Sequence, residues 1–440
     1  MYTNKQIWNV SYPIFLSLLA QNVINVTDTA FLGRVGEVEL GASAMGGLYY
    51  ICAFTIAFGF STGSQIVMAR RNGERNYRDV GPVMIQGVFF LLLLAAILFA
   101  FSRFFAGDIM RILVSSDDVL KATEEFLDWR VFGFFFSFVN VMFRALFIGI
   151  TRTKVLTLNA VLMALTNVLL DYLLIFGHGG FPQMGIKGAA IASVIAEAVS
   201  IVFFLVYTRL TVDIRKYALN QIRSFDFSLL RRVLGISIFT MLQYFAAMTT
   251  WFMFFVAVER LGQRELAIAN IVRSVYIVLL IPVNALSTTT NTFVSNAIGA
   301  GHKDQVIPVI TKIAKLSFCI VGVFVLLVCL MPEAILSVYT NDTTLIEGSV
   351  ASVYVISLAM LVSAVSNVVF NGVSGTGNTR SALWIEGVTL VFYALYVYVI
   401  GMQMHKPVAV CFTVEALYYT GLLLLSVIYL KKGTWQNKKI

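Results

Sequence analysis

Read for hydrophobic and polar positions alone, the chain alternates long apolar runs with short polar connectors. A helix crosses the hydrocarbon of a bilayer with about 20 apolar residues, and a sliding window of about that length picks out twelve runs. They cover 8–32, 41–67, 82–105, 124–149, 155–176, 186–208, 233–258, 267–291, 306–331, 348–371, 381–402 and 408–430. The pattern predicts an all-α polytopic membrane protein with twelve transmembrane helices. The longest connector, 209–232, is polar and basic and separates spans six and seven.

The two halves on either side of that connector echo each other. Gly36-Glu37-Val38-Glu39-Leu40 returns as Gly262-Gln263-Arg264-Glu265-Leu266, 226 residues later. Gly149-Ile150-Thr151-Arg152-Thr153-Lys154 returns as Gly375-Thr376-Gly377-Asn378-Thr379-Arg380 at the same offset. Near Gly73 and Gly301 the offset reads 228. An even number of spans per half makes the repeats parallel, related by an axis along the membrane normal. The expected layout is an amino-terminal six-helix lobe over 1–208, a cytoplasmic linker over 209–232 and a carboxy-terminal six-helix lobe over 233–440. Two pseudo-symmetric bundles around a cleft form a transporter architecture.

Composition agrees: 59% of the 440 residues are hydrophobic and 12% are charged, about half the usual charged share. The net charge of +9 first suggests a nucleic-acid surface, but the basic residues lie in connectors. One alternate set of connectors holds 21 Lys and Arg and the other 8. Positive residues stay on the cytoplasmic side, so both termini are expected in the cytoplasm and no nucleic acid is expected as a partner. No cleavable signal peptide is expected, because the amino terminus runs directly into a full-length span. Cys52, Cys319, Cys329 and Cys411 lie within apolar spans without metal-ligand spacing and are expected to be small buried hydrophobes.

Acids inside the spans are few: Asp28, Asp171, Glu197, Glu386 and Glu415. A carboxylate facing lipid is costly, so each should point into protein or water. In span five, Asn167 and Asp171 are four residues apart and share a helix face. In span one, Gln21, Asn25 and Asp28 form one polar stripe, and Pro13 earlier in that helix removes a backbone bond and predicts a kink or hinge. Span six opens with a small-residue run, Gly185, Gly188, Ala189, Ala190, Ala192 and Ser193, suited to close helix packing. Counting from the outer ends at ~1.5 Å per residue puts Asp28, Asp171 and Ser193 at similar depth. If helices one, five and six are neighbours, Asp28, Asn167, Asp171 and Ser193 converge. Two carboxylates in one desolvated site do not both ionise without a cation, so the cluster can take up a proton or hold a small hard cation among oxygens. The repeat offset maps Asp28 to Phe254, Asn167 to Tyr393 and Asp171 to Val397, so the second half lacks this cluster.

The full length of the chain resembles the multidrug and toxic compound extrusion (MATE) family of cation-coupled exporters, in particular its DinF-like branch. The resemblance rests on the two-lobe layout, the Pro13–Asp28 spacing, Asn167-x-x-x-Asp171, the stretch Gly185 to Ser193, and the loops Gly149–Lys154 and Gly375–Arg380. It implies a coupling site in the amino-terminal lobe at Asp28, Asn167, Asp171 and Ser193, the last where the family usually has Thr. It also implies that Gln21 and Asn140 line a cavity, and Asn25 and Glu197 join them as candidate substrate-cavity residues. Spans seven and eight carry no Asp or Glu between Ser237 and Val258 or between Ala267 and Asn291, so the acids of the other main branch are missing there.

The expected function is antiport of organic, amphipathic or cationic compounds across the cytoplasmic (inner) membrane, driven by H⁺ or Na⁺. The alternative is a lipid-linked precursor flippase of the same superfamily, which would need a cavity for a polyanionic headgroup; Arg130 and Arg144 on span four are the residues that could supply one. No HExxH, GxSxG, P-loop or CxxC motif points to an enzyme. No cofactor is expected, and the only metal ion anticipated is Na⁺ at Asp28, Asn167 and Asp171. Partners are a small organic substrate and membrane lipid, with the chain acting as a monomer. Glu197, near the bilayer midplane four residues after Ser193, must either carry a proton and bridge to another helix, relay protons, or pair with a cation. Glu386 and Glu415 suit structural pairing as well as transport. Thr288-Thr289-Thr290-Asn291 in span eight is expected to bond back onto its own helix.

Overall fold

The computed structural model describes residues 2–114, 116–220 and 225–437. Arg223, Lys438 and Lys439, counted above toward the cytoplasmic charge, lie outside the described residues, as does the rest of linker segment 221–224. The apolar runs become helices. These are α1 (Asn4–Val35), α2 (Glu37–Gly73), α3 (Val80–Leu113), α4 (Asp117–Arg130), α5 (Gly133–Gly149), α6 (Lys154–Phe176) and α7 (Gly185–Thr211). The second half adds α8 (Phe227–Glu259), α9 (Gln263–Gly299), α10 (Val306–Leu330), the short α11 (Pro332–Leu336) and α12 (Thr343–Gly375). It ends with α13 (Thr379–Val397), the short α14 (Val408–Cys411) and α15 (Thr413–Lys432). Among the described residues eleven helical segments are long and apolar enough to span a membrane, and α4 with α5, bent by 54°, makes the twelfth. The broken span is the fourth, and its break directly follows Arg130.

Contacts divide the chain into one unit of Tyr12–Ser237 and another of Met1–Ser11 with Ile238–Ile440. The division differs from the expected 1–208 and 233–440 at both edges. It passes through α1 just ahead of Pro13, and the first residues are tied into the second unit. Lys312 Nζ donates to the Tyr2 carbonyl at 2.9 Å, and the Tyr2 ring stacks on Phe293 with centroids 4.3 Å apart. Pro13 itself is buried in a continuous helix. Its carbonyl accepts from Thr157 Oγ1 of α6 at 3.0 Å.

Each unit repeats one packing scheme. In the first, α2 lies against α4 and α5, while α7 contacts α5 and α6. In the second, α9 lies against α12, while α15 contacts α12 and α13. The backbone keeps the offset of 226 even in the turns. Arg75 and Gly301 both have positive φ (60° and 82°), as do Thr151 and Gly377 (60° and 84°). The 3₁₀ turns Tyr77–Asp79 and Lys303–Gln305 match as well. Gly301 is therefore the counterpart of Arg75, not of Gly73 at an offset of 228: Gly73 still belongs to α2, and the left-handed residue comes after it. Gly375 and Gly149 are small for the same reason in both units. A Cβ on Gly375 would sit 2.5 Å from the Asn291 carbonyl, and one on Gly149 would sit 3.3 Å from the Ala69 amide.

The second unit is held by a cluster including Val272, Val275, Leu279, Val353, Ile356 and Met360. Leu93, Ile97, Leu165, Leu169 and Phe392 are exposed, as a helix face turned to lipid requires. Thr289 and Thr290 donate to the Ala285 and Leu286 carbonyls at 2.9 and 2.8 Å, the expected back-bonding. The cysteines are all free, but only Cys411 is buried; Cys319 is exposed, contrary to the expectation, because lipid can serve as the apolar surrounding that a soluble protein must supply itself.

Candidate functional site

α6 delivers the centre of the first unit's polar cluster. Asn167 is 1% exposed and Asp171 fully buried, a turn apart on the same face. Asp28 comes from α1 and Ser193 from α7, both half-buried. The depth argument from sequence thus finds its neighbours: three helices place these four side chains together. The Asn167 amide nitrogen faces the acids, donating to Asp28 Oδ1 at 2.9 Å and Asp171 Oδ2 at 3.2 Å. The opposite orientation would set an oxygen against two carboxylates. The amide oxygen then faces Ser193 Oγ, 3.4 Å away, whose hydroxyl can donate.

One amide thus brings the Asp28 and Asp171 carboxyl groups together. Carboxylate oxygens only accept, so the two acids can bond directly only when a proton sits between them. Asp171 Oδ1 is buried and meets no donor, an acceptor left for a proton or a small cation. The four residues could surround a sodium ion only by turning the amide, because its N–H now occupies the lone pairs a metal would use. No group of three or more His, Cys, Asp or Glu among the described residues could hold a metal.

A second cluster lies in the same unit. Glu197 of α7 forms a two-pronged ion pair with Arg130, at 2.7 Å from Nη2 to Oε1 and 3.0 Å from Nη1 to Oε2. Both side chains are largely buried, at 13% and 12% exposed. Of the options open to Glu197, the structure has the cation pair; the neutral bridging acid is set aside. Tyr50 of α2 completes it. The guanidinium carbon lies 3.6 Å above the Tyr50 ring, and the Tyr50 hydroxyl lies 2.8 Å from Ser137 Oγ and 3.3 Å from Glu197 Oε1. The helix break makes room. A Cβ on Gly133 would fall 2.6 Å from Glu197 Oε2 and collide with Arg130 Nη1. Arg130 also interacts electrostatically with Asp28, so the two clusters share one field.

Asn140 is held rather than free: its Nδ2 donates to the Glu197 carbonyl at 3.0 Å. Ser200 Oγ lies 2.9 Å from Asn140 Oδ1 and 2.8 Å from Asn159 Oδ1. Gln21 and Asn25 are exposed on α1. Sequence reasoning missed Tyr50, Gly133 and the partner of Glu197. One signal was present: an arginine and a glutamate buried in the apolar spans of one lobe each need a counter-charge.

Fold and site together describe a polytopic membrane transporter, built from two repeats with ionisable groups buried in one of them. The MatE family model matches residues 13–173 and 236–399, once per repeat, and the chain belongs to that family. Its relatives include the probable multidrug resistance protein NorM of Thermotoga maritima, 23% identical over 88% of this chain and 83% of that protein. The NorM of Agrobacterium fabrum is 29% identical over 47% of this chain and 44% of its own. Among solved structures, a MOP-superfamily transporter from Pyrococcus furiosus superposes with a TM-score of 0.88 at 16% identity, covering 99% of this chain and 97% of that one. The eukaryotic MATE transporter AtDTX14 gives 0.84 at 15% identity, covering 98% and 96%.

Proposed function

We propose that this protein exports organic compounds across the cytoplasmic membrane in exchange for protons, with both termini in the cytoplasm. The observation that carries the reading is the Asp28–Asp171 carboxyl pair bridged by the Asn167 amide. A pair that shares one proton carries one negative charge and attracts an organic cation. Uptake of a second proton from the outer side removes that charge and releases the substrate. Loss of that proton to the cytoplasm restores the site, and alternating access links the two events. Relatives named for multidrug resistance support a broad substrate range. The absence of acids in spans seven and eight supports the DinF-like branch. Coupling by sodium is disfavoured because the Asn167 N–H donors face the oxygens a metal would need.

The flippase alternative needs a cationic cavity. Arg130, the best-placed candidate for it, is neutralised by Glu197, which favours export of cations over capture of a polyanionic headgroup. The decisive test is ethidium efflux from proteoliposomes, with a pH gradient and a sodium gradient imposed separately. The pH gradient alone should drive efflux. Efflux driven by sodium at equal pH on both sides would overturn proton coupling.

A further inference from the structure

Two carboxylates lie deep in the second unit, and the coupling proposal uses neither. Glu386 is 4% exposed and Glu415 is 5% exposed. Glu415, in the first turn of α15, sits in a cage of phenols. Tyr393 of α13 donates to its Oε1 at 2.9 Å and Tyr276 of α9 to its Oε2 at 3.1 Å. The Tyr276 and Tyr419 hydroxyls are 2.5 Å apart. Since Tyr276 gives its hydrogen to Glu415, Tyr419 must be the donor in that contact. Tyr419 in turn hydrogen-bonds with Ser363 and Asn367 of α12, which are joined to each other at 2.8 Å. A chain of hydroxyls thus runs from Glu415 across three helices.

The repeat shows where this cage stands. At the offset of 226, Tyr393 is the counterpart of Asn167, Tyr419 of Ser193 and Tyr276 of Tyr50. The second unit therefore keeps the place of the amino-lobe cluster and refills it, with one glutamate reaching in where two aspartates stood. Its neutralisation differs from that of Glu197. Among the described residues no Lys, Arg or His forms an ion pair with Glu415. An ionised carboxylate so deep in an apolar bundle, with O–H donors but no cation, is costly.

The charged and titratable groups around Glu415 are Arg273 and Tyr276 from α9, Tyr393 from α13, and Tyr418 and Tyr419 from its own helix, with Glu386 of α13 beyond Tyr418. Tyr418 gives its hydroxyl to Glu386 Oε1 at 3.0 Å. Among the described residues α8 brings the rings of Trp251, Phe254 and Phe255 to the cavity beside Glu415, and its Gln243 reaches Glu386; α12 brings Ile356, and its Ser363 and Asn367 lie against Tyr419. Arg273 packs over Phe255 at 5.2 Å instead of reaching the carboxylate. A cavity of about 10 Å³ adjoins Glu415, Arg273 and Tyr276, room for about one water molecule. A space that small and donors on both oxygens fit a proton and leave no room for a coordinated metal ion or an organic cation.

We propose that the carboxy-terminal lobe holds a second proton-binding site, Glu415 within Tyr276, Tyr393 and Tyr419, at the repeat position of the Asp28–Asn167–Asp171 cluster. A proton delivered by a water in the adjoining cavity forms an O–H bond on Glu415 Oε2. The Tyr276 hydroxyl then turns to accept that hydrogen and to donate to Tyr419. Tyr419 turns to donate to Ser363 Oγ, so the hydroxyl chain reverses and no proton is lost along it.

The site is independent of the amino-lobe reading, and the test separates them. Infrared difference spectra between alkaline and acidic pH are recorded on the purified full chain, with the proton as the only ligand. A protonated-carboxyl C=O band is expected in wild type, retained in the Asp28→Asn/Asp171→Asn double variant and lost in Glu415→Gln. Tyr393→Phe and Tyr276→Phe keep the acid but remove one donor each, and should shift that band in frequency and in titration midpoint. They carry the test by themselves if Glu415→Gln does not fold. A full set of carboxyl bands in folded Glu415→Gln overturns the proposal, as does loss of the band in Glu386→Gln with its retention in Glu415→Gln. Unshifted bands in both tyrosine variants would do the same. Failure of amino-lobe coupling would instead appear as proton-driven ethidium efflux by the aspartate variants.

Discussion

The two lobes handle buried acid in different ways. In the amino-terminal lobe Glu197 meets a guanidinium in a bidentate pair, while Asp28 and Asp171 meet one amide. In the carboxy-terminal lobe Glu415 meets only tyrosine hydroxyls. An arginine pair fixes charge in place, because the guanidinium does not give up its proton. A carboxyl pair or a phenol cage leaves the acid free to change its protonation state. The neighbours of a buried acid, more than its depth, separate a strut from a proton carrier.

The largest effects should come from the pair that carries charge. Asp28→Asn and Asp171→Asn are each expected to abolish proton-driven ethidium efflux while leaving the folded state intact. Near-normal transport by both purified variants would remove the assignment. Binding of tetraphenylphosphonium to wild type should weaken as pH falls and the pair takes its second proton. A flat profile from about pH 5 to about pH 9, across the range where acids of this kind titrate, would point to sodium instead.

Next comes the strut. Arg130→Gln leaves Glu197 buried without its cation and should cost about 3–5 kcal/mol, whereas an Arg130→Met/Glu197→Met double variant should recover most of it. Thermal melting of the purified variants reads both, and a double variant no better than the single one would deny that the pair acts as a unit. Gly133→Ala should push the ion pair apart at about 1–3 kcal/mol. That cost should disappear in the double-methionine background only in part, since the Tyr50 hydroxyl is also in the way.

Smaller effects test the repeat itself. Thr151 holds the left-handed conformation that Gly377 holds in the other lobe. Thr151→Gly should therefore raise stability by up to about 1 kcal/mol, and a loss would mean that the threonine side chain is needed. Ser116 and Asp342 are counterparts that precede α4 and α12. Only Asp342 caps its helix, accepting from the Thr344 hydroxyl at 2.7 Å and the Thr344 and Leu345 amides at 2.9 and 3.4 Å. Those bonds, the Thr344 hydroxyl first, hold its carboxyl below the usual range. Its contribution is complete above the ordinary aspartate pKa of ~3.9 and is lost as pH falls through the lower folded value. The difference in melting temperature between wild type and Asp342→Asn should therefore close in acid. A constant difference would show that the charge contributes nothing.

Much of this was legible in the sequence. Twelve apolar runs gave the spans because a bilayer imposes one length on every helix that crosses it. Asn167 and Asp171 could be put on one face, and Asp28 and Ser193 at their level, because helical rise and periodicity are fixed. The break after Arg130 was not legible: Val131 and Phe132 are apolar like the rest of the run, and the close fit of Gly133 against the ion pair emerges only once the helices are packed. The Glu415 cage was hidden for a related reason. The offset map followed identities, and Tyr393 shares no chemistry with Asn167 until Glu415 arrives from another helix.

The central claim is that the aspartate pair exchanges protons for substrate, and proton release on binding tests it most directly. Tetraphenylphosphonium added to weakly buffered, purified protein near neutral pH should displace protons from wild type. The same addition to folded Asp28→Asn or Asp171→Asn, compared at equal occupancy, should release none from that site. Equal release from wild type and both variants would contradict the claim.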